Sequence, residues 1–175
     1  MLDWYTIIFE LIDMRSFSNL WYWIALSVVW SMSSHWVVGV PFDMIAKARK
    51  HGGSAQHDLE EMARITTGRL LFIVRQSGIW LIALASFTIT GLLVLAVFYG
   101  VEFAQAVLCI MIPMTLVSML TLRTARLIEA GESHGEALHR RLIRHRMTVQ
   151  GIGMVSIFFT ALFGMYQNLH IGVLG

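Results

Sequence analysis

Four apolar stretches of about 20 residues each constrain this chain more than anything else in it. The hydrocarbon core of a bilayer is about 30 Å thick, and a helix crosses it with about 20 mainly apolar residues. The stretches run over about 20–40, 77–99, 103–122 and 149–169. The composition agrees: 57% of the 175 residues are hydrophobic and 14% charged, against about 25% charged in a soluble domain. The mean hydropathy is +0.67. The chain reads as an all-α membrane protein. Its one cysteine, Cys109, excludes an internal disulfide and any cysteine-held metal cluster. The start, "MLDWYTIIFELIDMR", places Asp3, Glu10 and Asp13 where a secretory signal carries basic residues, so no cleaved signal is expected.

The connections between the stretches are unequal. "GVE" alone joins the second to the third, which predicts an antiparallel hairpin turning at Gly100. The other two connections, 41–76 and 123–148, are long and hold 12 of the 13 basic residues. Basic loops stay on the cytoplasmic side. Both loops are therefore expected in the cytoplasm of a bacterial inner membrane, with both termini outside.

Helical signals continue into the loops. Ser133 and Glu136 form a capping-box pattern and Glu136–Arg140 an i,i+4 pair. Asp58 is expected as an N-cap, with Glu60 and Arg64 paired at i,i+4. "HGGS" at 51–54 and "AGESHG" at 130–135 supply breaks. Residues 19–175 thus read as an up-down four-transmembrane-helix bundle with two cytoplasmic helical hairpin extensions. Residues 1–18 read as an outer-face amphipathic helix, with Trp4, Ile7, Ile8, Leu11 and Ile12 at helical spacing.

His35 lies inside the first stretch, and an ionisable residue there is a functional candidate. A haem held between helices needs a second ligand at matching depth, and the other six histidines lie outside the stretches. Ser27, Ser31, His35 and Gly39 recur every four residues, the spacing of a small-residue helix-packing face. His35 is therefore expected to fasten two helices. Ser156, Thr160 and Gly164 repeat the pattern in the fourth stretch. Pro113 in the third predicts a kink and a freed carbonyl near Cys109. His51, His57, His134 and His139 would need both loop tips to meet before they held zinc or copper. No metal or cofactor is expected.

The run "HRRLIRHRM" puts Arg140, Arg141, Arg144 and Arg146 beside the inner leaflet, a surface for anionic lipid or a docking partner. Nucleic acid is not expected, because Glu129, Glu132 and Glu136 share the loop and no aromatic side chain offers stacking. No phosphate-binding glycine motif, H-E-x-x-H or G-x-S-x-G is present.

The segment "ELIDMRSFSNLWYWIALSVVWSMSSHWVVGVPFDM" resembles small four-span inner-membrane proteins of photosynthetic and respiring bacteria, some under an iron–sulfur-assembly label. The resemblance covers about the first third and implies no functional residues. The expected role is a non-catalytic accessory or assembly subunit of a larger respiratory, photosynthetic or transport complex, electron transport among them. A small self-associating channel or transporter is the alternative, and a membrane redox or metal protein the third.

Overall fold

The computed structural model describes Phe17 and residues 19–173. The amphipathic helix expected over 1–18 lies, Phe17 apart, outside the described residues. In chain order the elements are α1 (Leu20–His35), β1 (Trp36–Val37), β2 (Val40–Pro41), α2 (Phe42–His51), α3 (Gly53–Val97), α4 (Glu102–Glu129) and α5 (Gly135–Val173). Three of these helices, α3, α4 and α5, are long and apolar enough to cross a membrane. At 45 residues, α3 is about 68 Å long. That is more than twice a hydrocarbon core, so its first half lies beyond any membrane that its second half crosses. Ile79, Trp80 and Phe87 on the second half are 84%, 76% and 78% exposed. Only a lipid or protein surround removes so much apolar surface from water.

The breaks fall where glycine was expected. Gly52 (φ 59°) separates α2 from α3, and Gly100 (φ 62°) turns α3 into α4. Asp58 is not an N-cap, because α3 already begins at Gly53. Arg64 forks onto Glu61 at 2.6 and 3.0 Å rather than pairing with Glu60.

The first apolar stretch is not one helix. Asn19 caps α1, its side chain accepting from Trp21 N at 3.0 Å. The helix stops at His35 after 16 residues. "WVVGVP" then forms an antiparallel two-stranded hairpin, Trp36 opposite Pro41 and Val37 opposite Val40. Val38 (φ 55°) and Gly39 (φ 82°) make its turn, the positive-φ pair of a type I′ connection. A β-branched residue at positive φ is strained. The strain is held by burial, because Val37, Val38 and Val40 are each 3% exposed or less. The expected face Ser27–Ser31–His35–Gly39 therefore ends at His35: Gly39 is not on the helix.

The interior has three parts. At the loop end, the hairpin valines pack with Ile45, Leu59, Ile128, Leu138 and Leu142 in the largest cluster. In the middle, Leu26 and Trp30 of α1 meet Val117 and Val149. At the far end, Ala96, Ala104 and Leu108 close the α3–α4 turn. The loop-end cluster explains the hairpin. A continuing helix would leave the valines outside it.

Helix α5 packs chiefly on α4 and α1. Ser156 and Thr160 are buried, and Gly164 faces Phe17 closely: an added Cβ would lie 3.2 Å from Phe17. Ser156–Thr160–Gly164 is thus a packing face within this chain. Gly153 extends it, since a Cβ there would lie 2.8 Å from the Trp30 ring. Pro113 has no N–H to give the Cys109 carbonyl four residues back. Ser156 Oγ donates to that carbonyl from α5 at 3.4 Å.

Two stability outcomes follow from this seam. Gly153→Ala, pressed against Trp30, should destabilise the detergent-solubilised protein by about 1–3 kcal/mol, read as an unfolding midpoint. Ser156→Ala should cost about 1 kcal/mol in the native chain and much less beside Pro113→Ala, which restores the helix's own donor. Equal losses in both backgrounds would show that the Ser156–Cys109 contact does not compensate the proline.

Candidate functional site

The residues singled out in α1 lie on its outer side. Leu26 and Trp30 turn inward, while Ser27, Ser31 and His35 are exposed. Ser27 Oγ donates to Trp23 O of its own helix at 2.8 Å. His35 sits edge-on to Trp36, ring centroids 5.8 Å apart, and touches no other helix through a hydrogen bond. Ser33 takes the inward polar role instead, 3.7 Å from Met114 Sδ on α4. His35 therefore fastens α1 to no described helix of this chain. Its depth also differs from a mid-span residue. Arg146 Nε donates to the neighbouring Ser34 O at 3.3 Å, so His35 is level with the basic segment that ends the apolar part of α5.

The two loop tips do meet, through residues other than a histidine cluster. Glu60 on α3 is the hub. Its Oε1 accepts from Gln56 Nε2 at 2.6 Å and from Gly135 N, the first residue of α5, at 2.8 Å. Its Oε2 lies 3.1 Å from His134 Nδ1. Glu60 thus satisfies an orphan N–H of α5 from the opposite hairpin. Ser133 is not the cap it was expected to be, because α5 starts too late for it. His139, buried, bonds Gln56 Oε1 through Nε2 at 2.6 Å. The hydrogen bonds from Gly135 N, Gln56 and His134 hold the Glu60 carboxyl down to about 2. His51 is elsewhere, bonded to Lys47 O. Among the described residues no group of three or more His, Cys, Asp or Glu is placed to hold a metal ion.

The four arginines of the basic run have divergent surroundings. Arg141 forks onto both oxygens of Glu132 and is four-fifths buried, which ties the tip of α5 to the turn before it. Arg146 lies over the Phe42 ring at 3.5 Å as well as on Ser34 O. Both brace the fold. Arg140 is exposed and 3.4 Å from Glu136, the expected i,i+4 pair. Arg144 is exposed with no ion pair among the described residues.

A groove of about 850 Å³ runs between α3 and α4, its lining including Ser33, Trp36, Ser86, Met114 and His145. His145 closes its basic end. Thr121 Oγ1 spends its proton on Val117 O at 2.8 Å, so His145 Nε2 donates to Thr121 at 3.3 Å and Nδ1 accepts from Thr124 at 3.1 Å. The ring is neutral and satisfied, a groove wall rather than a proton donor.

Two contributors, Gly153 and Gln56, were missed from sequence, and a third, Glu60, was given the wrong partner. Gly153 was legible, since it lies three residues before Ser156 on the same small-residue face. Gln56 and Glu60 were not, because their partners lie 83 and 75 residues away. No family model matches the chain, and no curated protein or solved structure matches it.

The Glu60 hub makes the tip contact acid-sensitive. A carboxyl held below its ordinary 4.5 contributes fully above that pH, and its contribution fades as the pH falls toward about 2. Spin labels at Ser54 and Ser133 should report one narrow distance distribution at pH 6 and a broadened one only at about pH 2 and below. Glu60→Gln should broaden it at both. A distribution unchanged by acid and by the substitution would remove Glu60 as the tie.

Proposed function

We propose that this chain is a non-catalytic accessory or assembly subunit that binds a larger complex of a bacterial inner membrane. The observation carrying the reading is the outer side of α1. Small and weakly polar side chains, Ser27, Ser31 and His35, stand exposed at helical spacing, while the opposite side is locked by Leu26 and Trp30. Membrane helices approach one another on such faces, and a histidine there gains about 0.6–2 kcal/mol by bonding across the contact. Nothing within the described chain uses this face, so its fitting partner is a helix of another protein.

In this reading α1 crosses as the fourth and shortest span. Its 16 residues reach about 24 Å, slightly under a hydrocarbon core, and the exposed Trp21 beside Asn19 suits the outer headgroup level. The basic tips face the cytoplasm and both termini face the periplasm. In a Cys109→Ala background, a cysteine at Ser133 should react with an impermeant thiol reagent only in inverted vesicles, and one at Tyr99 only in intact spheroplasts. Reaction of both from one side would refute the topology.

The same face supports the second reading, self-association around a pore lined by Ser27, Ser31 and His35. Mild-detergent affinity purification from native membranes separates the two. The accessory reading expects a stoichiometric larger complex that His35→Leu releases, with the folded chain unchanged. Elution as a homo-oligomer that conducts ions after reconstitution would replace it with the channel.

A further inference from the structure

A second cavity, of about 600 Å³, lies between the end of α2 and the first turns of α5. Its charged lining is Arg49, Arg140, Arg144 and Glu136, an excess of two positive charges. Glu136 is engaged with Arg140. Neither Arg49 nor Arg144 has an ion-pair partner among the described residues, whereas Arg64, Arg75 and Arg141 each have a carboxylate at hydrogen-bond distance. Unpaired guanidiniums gathered from two helices present the planar donor forks that match phosphate oxygens.

A further feature narrows the ligand. Ile143 and Met147 give the cavity an apolar side that runs along α5 toward Val149, where the apolar stretch begins. A ligand that fills both parts is anionic at one end and hydrocarbon at the other.

We propose that this cavity is a binding site for an anionic phospholipid: the phosphate group lies on Arg49, Arg140 and Arg144, and an acyl chain follows Ile143 and Met147. The site rests on the membrane placement proposed above. Fractionation of the chain with membranes is scored separately, so a failure of lipid binding and a failure of that placement are distinct results.

Binding to the purified full chain in a neutral detergent is measured by titrating phosphatidylglycerol, phosphatidic acid, phosphatidylcholine or inorganic phosphate. Phosphatidylglycerol and phosphatidic acid should both bind, phosphatidylcholine should bind far more weakly, and inorganic phosphate should not compete at millimolar concentration. Each arginine removed should weaken binding about fivefold, so Arg49→Gln/Arg140→Gln/Arg144→Gln loses on the order of 100-fold. Lys47→Gln/Lys50→Gln/Arg69→Gln removes three exposed charges elsewhere and should retain most of the affinity. Glu136→Gln should tighten binding by removing the competing carboxylate, a gain that a misfolded variant cannot mimic. Equal loss in both triple variants would overturn the site in favour of diffuse surface charge. Equal binding of phosphatidylcholine would overturn the anionic headgroup, and competition by inorganic phosphate would overturn the lipid as the source.

Discussion

The close approach of α5 to α1 and the segment before it is the constraint on which the seam with α4 depends. It is possible only because Gly153 and Gly164 stand where a side chain would strike Trp30 and Phe17. Van der Waals packing and interhelical hydrogen bonds, rather than the hydrophobic effect, hold apolar helices together in a membrane. Close backbone approach is therefore what makes such contacts strong. It also brings Ser156 within reach of the carbonyl that Pro113 leaves unpaired. A proline in one helix and a serine in another are thus one feature, and each accounts for the other.

The loop end of the molecule obeys different rules. There the three long helices continue into a cluster built like a soluble core, with Leu59, Leu138 and Leu142 fully buried. The β-hairpin belongs to this core. Its valines exchange a helical backbone, and accept positive φ at Val38, for burial beside Ile45 and Leu59. Glu60, Arg141 and Arg146 then tie the tips with charged groups whose partners are all at hand. The result is a braced platform beyond the apolar helices, which sets Arg49, Arg140 and Arg144 around one cavity.

Function follows from which surfaces this bracing leaves over. Of the arginines in the basic run, Arg141 and Arg146 are consumed internally. Arg140 and Arg144 remain outward, and α2 adds Arg49 to them. Of the two small-residue faces, the one on α5 is consumed by packing and the one on α1 is not. The proposals made for this chain rest on those residual surfaces: a helical partner on α1 and a lipid headgroup beside α5.

Helix type, the three long apolar helices, the glycine breaks and the turn at Gly100 were legible in the sequence, because each depends on local composition or on a backbone that only glycine adopts cheaply. The Ser156–Thr160–Gly164 face was legible for the same reason, a four-residue period along a single helix. That period misled at Gly39. "WVVGVP" is apolar enough to continue a span, and only the buried core beyond α1 turns it into a hairpin. Partner choice was beyond reach as well: Glu60 was expected to take Arg64, but Glu61 is there already, and an unpaired N–H at Gly135 waits on the other tip. The sequence by itself determined which segments are helical and apolar, since that is set by neighbours within a few turns. Which polar groups are spent inside and which are left for a partner was decided only by the tertiary structure, because the pairings between the two tips and between α1 and α5 join residues 75 or more positions apart.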